Sequence, residues 1–214
     1  MCAGGGDALK QTEIVRRGYD KVSHAYRAAE GADDFTDYAA WIAELGALLP
    51  ENSPVLDLGC GCGLPVAQTL AATFAVTGVD ISRVQIERAR RLVPQARFIL
   101  ADMAEVDFTP ASFSAIVSFY AIIHLPLDEQ PALFARVRKW LKPGGYFLGT
   151  VGSRAWTGME ENWLGVPGAT MAWSHADAET YRAWLDESGF EICRTDFIPE
   201  GDGGHTLILA RAGN

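Results

Sequence analysis

Three glycines at alternate positions, Gly59, Gly61 and Gly63, follow an apolar run carrying an acid, Val55-Leu56-Asp57-Leu58, and precede a segment opened by Pro65. That order constrains the chain to a strand, a sharp turn and a helix. Glycine takes positive φ without strain and lets backbone press against a ligand. The helix that follows turns its free N–H groups toward the same place, ready for a carboxylate or phosphate. A nucleotide-like ligand is expected there. The dinucleotide fingerprint Gly-x-Gly-x-x-Gly would place its third glycine where Leu64 stands, and no Gly-Lys-Ser/Thr follows to make a Walker-type loop.

The register downstream repeats the pattern. Phe74 to Asp80 reads as a β-branched strand closing in an acid, and Ala96 to Asp102 as another, with Met103 next. Phe113 to Phe119 reads as a fourth strand and Gly144 to Val151 as a fifth. A single aspartate at a strand end is usually a helix cap or a solvated loop residue. Three of them, Asp57, Asp80 and Asp102, on successive parallel strands converge on one crevice at the switch point of the sheet. A carboxylate at Asp80 can accept both hydroxyls of a ribose lying across the glycine loop.

Asp57-x-Gly59-x-Gly61-x-Gly63 resembles motif I of the class I S-adenosylmethionine-dependent methyltransferases. Leu141-Lys142-Pro143-Gly144-Gly145 resembles the turn before their fifth strand, and the order of elements from 55 to 151 resembles their core. The resemblance implies an α/β fold: a Rossmann-like, doubly wound, mostly parallel seven-stranded sheet with an antiparallel C-terminal hairpin strand. It implies S-adenosylmethionine as cofactor, held by Tyr19, Asp57, Gly59, Gly61, Gly63, Asp80, Ile81, Gln85, Asp102, Met103, Phe119 and His124. In that family the acid at Asp102 takes the adenine amino group while the neighbouring side chain packs on the ring. The acid many members carry two residues into the fourth strand is missing from Phe113-Ser114-Ala115; Ser114 should lie away from the cofactor.

The 214 residues make one domain with a modest cover. Residues 1–50 form a helical cover, 51–152 the cofactor-binding core, 153–177 a lid insertion, and 178–214 the last helix and a hairpin. The net charge of −9 leaves no basic patch to grip nucleic acid. No apolar run is long enough to span a bilayer, and Met1 to Asp7 has no signal-like core. A soluble, cytoplasmic protein acting on a small molecule is expected, without nucleic-acid or membrane partners; its oligomeric state is unreadable. Of the four cysteines, Cys2, Cys60, Cys62 and Cys193, Cys60 and Cys62 sit in the glycine loop with no His or Cys cluster to complete a metal site, so they read as reduced loop residues.

The cover should select the acceptor. Tyr19-Asp20-Lys21-Val22-Ser23-His24-Ala25-Tyr26 resembles the entrance segment of many small-molecule methyltransferases, where the first aromatic reaches the cofactor. Val15, Tyr19, Val22 and Tyr26 equally make an apolar stripe at helical spacing. The lid holds Trp156, Trp163 and Trp173 with Met159 and Met171. It suits a flat or greasy substrate, a cation held over rings, or a satellite core under a long loop. Asp177 reads as the cap of a helix over Ala178 to Ser188, stopped by Gly189. Phe190 to Phe197 and Thr206 to Ala212 read as a hairpin whose turn carries His205 toward the mouth.

Methyl transfer chiefly needs alignment of nucleophile, methyl and sulfur, and a hydroxyl or ammonium acceptor must also lose a proton. His24 should face solvent. Ala121-Ile122-Ile123-His124-Leu125 resembles a segment of phosphoethanolamine methyltransferases, which implies that His124 pairs with Tyr19 over the methyl group; His175 is an alternative base. Substrate contacts are expected from Tyr26, Tyr120, Trp156, Trp163, Trp173 and His205. Phe119 to Leu125 contains no acid, so the transfer should be metal-independent. The expected activity is therefore methyl transfer to a hydroxyl or amine of a small metabolite. The rivals are an NAD(P)-dependent reductase, which wants a glycine at 64 and a Tyr-x-x-x-Lys pair, and a non-catalytic S-adenosylmethionine-binding partner protein.

Overall fold

The computed structural model describes residues 10–27 and 36–213; Cys2 and the reading at Met1 to Asp7 lie outside them. Two helices, α1 (Gln11–Tyr26) and α2 (Thr36–Leu48), lead into alternating strands and helices: β1 (Pro54–Leu58), α3 (Val66–Ala71), β2 (Ala75–Asp80), α4 (Arg83–Leu92), β3 (Arg97–Leu100), β4 (Phe113–Ser118), α5 (Gln130–Trp140) and β5 (Leu141–Gly152). The chain then makes β6 (Trp156–Glu161), β7 (Thr170–His175), α6 (Ala178–Glu187), β8 (Phe190–Glu200) and β9 (Gly203–Ala212). The seven-stranded sheet has the order β3-β2-β1-β4-β5-β9-β8. β1 to β5 run parallel, and β9 is antiparallel to both of its neighbours.

Parallel strands covered on both faces read as continuous apolar runs, and β1 does so because its side chains feed two cores. Val55 joins α2, α3 and α4 through Trp41, Leu45, Leu70 and Ile86. Leu56 and Leu58 join α5 and α6 through Phe134, Val137, Tyr181 and Leu185. Asp177 caps α6 as read, its carboxylate accepting from Thr180 N–H at 2.9 Å.

Three boundaries differ from the sequence reading. β5 begins at Leu141, because Phe113 pairs with Leu141 and Ala115 with Tyr146, leaving Lys142 to Gly145 as a bulge within the strand. The C-terminal hairpin is longer than expected: pairing continues to Glu200 and Gly203, so His205 is a strand residue. The lid, expected as a loop, is mostly a two-stranded hairpin pairing Trp156 with His175 through Glu161 with Thr170. The buried Met171 and Ala172 hold β7 against Val15 of α1, giving the hairpin a small core of its own.

Candidate cofactor and acceptor site

The glycine loop meets its expected geometry. Gly59 has φ 79°, and a Cβ there would fall 2.1 Å from the Cβ of Ala121, so no other residue fits. Gly61, at φ 53°, would point a Cβ into open space that meets only Gln85 Nε2 at 3.8 Å. Asp80 fixes the loop from the end of β2: it accepts from Gly61 N–H at 2.9 Å and from Ser82 N–H at 2.8 Å. Asp102 accepts from Ala104 N–H at 2.8 Å in the turn after β3.

Around this frame lie three adjoining cavities that share lining residues. One is lined by Asp80, Ile81, Gln85, Asp102 and Met103, with Tyr19 of α1 above them. A second runs past Gly59 and Gly61 to Asp57, Cys62 and Phe119. The third opens between α1, α2, the lid hairpin and the β8–β9 hairpin; Trp41, Trp163, Trp173, Glu200 and His205 line it. Tyr19, Tyr26, Tyr120 and His124 line both the first and the third, so they form the wall between them. Tyr120 holds φ 54°, uncommon for a residue with a Cβ, directly after β4.

Burial sets the electrostatics. Desolvation, with a smaller push from Asp80, raises the Asp57 carboxyl to about 8. Asp80 is raised to about 6 by burial, against the opposing pull of its Ser82 and Gly61 N–H bonds. Buried atoms without a partner include Asp57 Oδ2, Gln85 Nε2 and His205 Nδ1, each on a residue that lines these cavities. Burial lowers His124 to about 4, keeping it neutral near pH 7. Its Nδ1 faces the carbonyl of Ala172 at 2.8 Å and must therefore carry the hydrogen. That leaves the Nε2 lone pair to accept from Tyr19 O–H at 2.9 Å.

Most residues expected in the site stand on a cavity wall. Three do not. Gly63 packs on Ala89, Val93 and Phe98, and lines none of the three cavities. Trp156, at 47% exposure, lies over Gly158 on the outer strand of the lid hairpin. His175 is turned to the carbonyl of Arg154 at 2.7 Å and lines none of the three cavities. Trp156 and His175 pair across the hairpin on the face that carries Trp173, so both stand behind the cavity wall rather than on it, Trp156 beside Trp173 and His175 beside His205. Tyr38 and Trp41, which the sequence reading did not single out, both line the third cavity from α2. Their helical spacing with Ile42 and Leu45 signals a packed face, which hid their second role. His24 is exposed, as read.

A Rossmann-like sheet with a glycine loop and acids at its strand ends defines a nucleotide-type binding core. A family model described as a methyltransferase domain matches residues 55–145. The chain is 35% identical over 146 residues to the sterol 24-C-methyltransferase ERG6B of Gibberella zeae, covering 64% of this chain and 38% of that one. It is 34% identical over 104 residues to the sterol 24-C-methyltransferase of Clavispora lusitaniae, covering 45% and 27%. The chain thus spans well under half the length of these relatives. Magnesium protoporphyrin IX methyltransferase of Synechocystis PCC 6803, solved with bound S-adenosylmethionine, superposes over 97% of this chain and all of its own, with TM-score 0.73 at 19% identity. The [4+2]-cyclase SpnF superposes over 98% of this chain with TM-score 0.73 at 18% identity. Residues 55–145 thus match a methyltransferase domain, and the chain has the fold of class I S-adenosylmethionine-dependent methyltransferases.

Proposed function

We propose that this chain transfers a methyl group from S-adenosylmethionine to a hydroxyl or amine of a small, partly apolar molecule. The carrying observation is the Tyr19–His124 hydrogen bond in the wall shared by the cofactor and acceptor cavities. The residues fit the cofactor. Asp57 Oδ2 and Gln85 Nε2 are buried and unpartnered, as an acceptor and a donor awaiting polar groups should be, and a side chain on Gly61 would fill the cradle. Asp57, Gly59, Gly61, Asp80, Ile81, Gln85, Asp102, Met103 and Phe119 would hold it. When bound, it supplies a methyl group already activated on a sulfonium.

The protein's own work is then alignment and exclusion of water. Tyr19 commits its proton to His124, leaving its oxygen lone pairs for an N–H or O–H of the acceptor. That contact would turn the acceptor's nucleophilic lone pair toward the cofactor cavity. A base works best with a pKa near the operating pH, and His124 lies well below it. The pair therefore acts by positioning, and the proton of the methylated hydroxyl or amine would pass to water once transfer is complete. Trp163 and Trp173 of the lid, with Tyr26, Tyr38 and Trp41, offer ring surface to an apolar acceptor body. Glu200 is the one carboxylate among the residues lining that cavity, and no cluster of three metal-ligating side chains occurs among the described residues. A metal-independent reaction is accordingly proposed. No helix among the described residues is long and apolar enough to cross a membrane.

Calorimetric titration with S-adenosylmethionine, beside an NADH control and Asp80→Ala, tests the cofactor half. Micromolar binding lost in the variant is expected, and acceptors can then be screened by mass gain. Heat with NADH alone would overturn the proposal in favour of a reductase. Binding without mass gain on any acceptor class would favour a non-catalytic partner.

A further inference from the structure

Beside the cofactor cavity stands a side chain with one end in the site and the other on the cover. Gln85, 1% exposed on the first turn of α4, lines the cavity with Gly61 and Asp80. Its Nε2 is buried without a partner, while its Oε1 accepts from Ser23 Oγ at 2.7 Å. Ser23 is fully buried in α1 and lines none of the three cavities. The helix that carries Ser23 also carries Tyr19 and Tyr26, two of the four residues in the wall between cofactor and acceptor.

A set of side-chain hydrogen bonds ties α1 to the core and the lid. Ser82 Oγ–H donates to Asp20 at 2.7 Å, and the Arg88 guanidinium donates to Ser23 Oγ at 2.8 Å and to the carbonyls of Ser23 and Arg27. Gln11 donates to the carbonyl of His124 at 3.0 Å, and Lys21 to that of Gly168. Its apolar contacts lie apart from the two main cores: Val15, Ile14 and Tyr19 pack with Met171, Ala172, Trp163 and Trp173 of the lid, and Val22 is fully buried. A cover whose contacts are separate from the cores beneath the sheet can lift without disrupting that sheet.

We propose that Gln85 is a positioning residue that transmits cofactor occupancy to α1, so that the acceptor wall is complete only after the cofactor has bound. This rests on the cofactor reading above. With its Nε2 engaged by a polar group of the cofactor, the amide is fixed and its Oε1 is held for Ser23. With the cavity empty, the same amide can turn its donor end elsewhere, and Ser23 loses a fixed acceptor. Coupling of this kind is reciprocal. The Ser23–Gln85 bond must raise cofactor affinity by the same factor by which the cofactor favours docking of α1. The kinetic consequence is ordered binding, cofactor before acceptor.

S-adenosylhomocysteine is the probe, because it needs no acceptor. Hydrogen exchange of the amides over residues 11–26 should slow on its addition to the wild-type protein, and far less in Ser23→Ala. By calorimetry, Ser23→Ala should bind the probe roughly fivefold or more weakly although Ser23 touches no cavity. Gln85→Met should lose at least as much, and Gln85→Glu, which keeps an oxygen for Ser23, serves if that variant fails to fold. In the Gln85→Met background, Ser23→Ala should cost nothing further. A merely structural serine, acting through Arg88, would weaken binding equally in both backgrounds, and that additive result would overturn the inference. Unchanged exchange in wild-type protein that binds the probe would overturn it too. No binding heat at all would instead refute the cofactor reading, and this inference with it.

Discussion

On the cofactor side, the polar groups stand within a residue or two of the ends of β1, β2 and β3, held by backbone N–H bonds and by two large cores beneath them. On the acceptor side, the lining comes from α1, α2, the lid hairpin and the β8–β9 hairpin, joined ring edge to ring face. Tyr19 meets Trp163 with ring centroids 5.6 Å apart at 85°, and Trp163 meets Trp173 at 5.6 Å and 84°. The first side is dictated by the sheet, and its place is common to folds of this topology. The second is assembled from elements that a different sequence could replace without touching the core. Fold therefore speaks for the cofactor and is nearly silent on the acceptor. The superposition of a methyltransferase and a cyclase on this one chain makes the same point.

The largest effect expected is on the cofactor side. Asp80→Ala removes the carboxylate that fixes both Gly61 N–H and Ser82 N–H. Calorimetry should show S-adenosylhomocysteine affinity falling about 100-fold, or about 2.7 kcal/mol. Far-UV circular dichroism should be unchanged, because the cores do not include this residue. Retained affinity would mean that the strand-end acids are architectural and that the comparison is drawn in the wrong place.

Tyr19→Phe probes the wall between the two sides. It keeps the ring that packs on Tyr26 and Trp163 and deletes the hydroxyl that meets His124. Once an acceptor is found, kcat should fall by roughly 10- to 100-fold, the range of a lost orienting contact. Affinity for S-adenosylhomocysteine should fall much less. Equal losses in both would make Tyr19 a cofactor residue alone.

Next comes a pH effect confined to the cofactor side. Asp57 sits at about 8 in the folded protein, above its ordinary 3.8, so the native state holds its proton more tightly. Its contribution is complete below the unfolded value and is lost as pH rises toward 8. Asp80, at about 6, acts the same way over a narrower range. His124, lowered to about 4 from 6.5, opposes them: stability through it rises between those values. Between pH 6.5 and 8, Asp57 alone of the three is still titrating. Denaturant unfolding should therefore show stability falling by up to about 2 kcal/mol across that window, at 1.36 kcal/mol per unit. Asp57→Asn should flatten the fall. A flat wild-type profile would mean that the carboxyl is better solvated than its position beneath the glycine loop indicates.

How much could be read beforehand divides along the same line. Asp57, Asp80, Asp102 and the glycine pair were legible because strand-end position fixes where a side chain points. Tyr19 and His124 were legible only through resemblance; nothing local links residues 105 positions apart. Tyr38 and Trp41 were invisible, since a helix face that packs and a helix face that lines a cavity share one periodicity. His175 and Trp156 share a hairpin face with Trp173 yet line none of the three cavities, because composition marks a lid but not how far along its strands the cavity reaches.

The smallest effects should come from the two hairpin residues that stand behind the cavity wall. Trp156, half exposed, packs beside Trp173, and His175, tied to the Arg154 carbonyl, packs beside His205; neither lines one of the three cavities. Trp156→Ala and His175→Ala should each change kcat/KM by only a few-fold, acting through the residues they support. Trp163→Ala, on the cavity wall, should raise the acceptor's KM more than either, because it strips ring surface from the acceptor cavity while leaving Asp80 and the glycine loop intact. If Trp156→Ala matched Trp163→Ala while leaving Trp173 in place, the hairpin would have to swing its outer strand inward when an acceptor binds. The acceptor side would then be not only assembled from replaceable parts but completed by the acceptor itself, whereas the strand ends of the cofactor side stand ready beforehand.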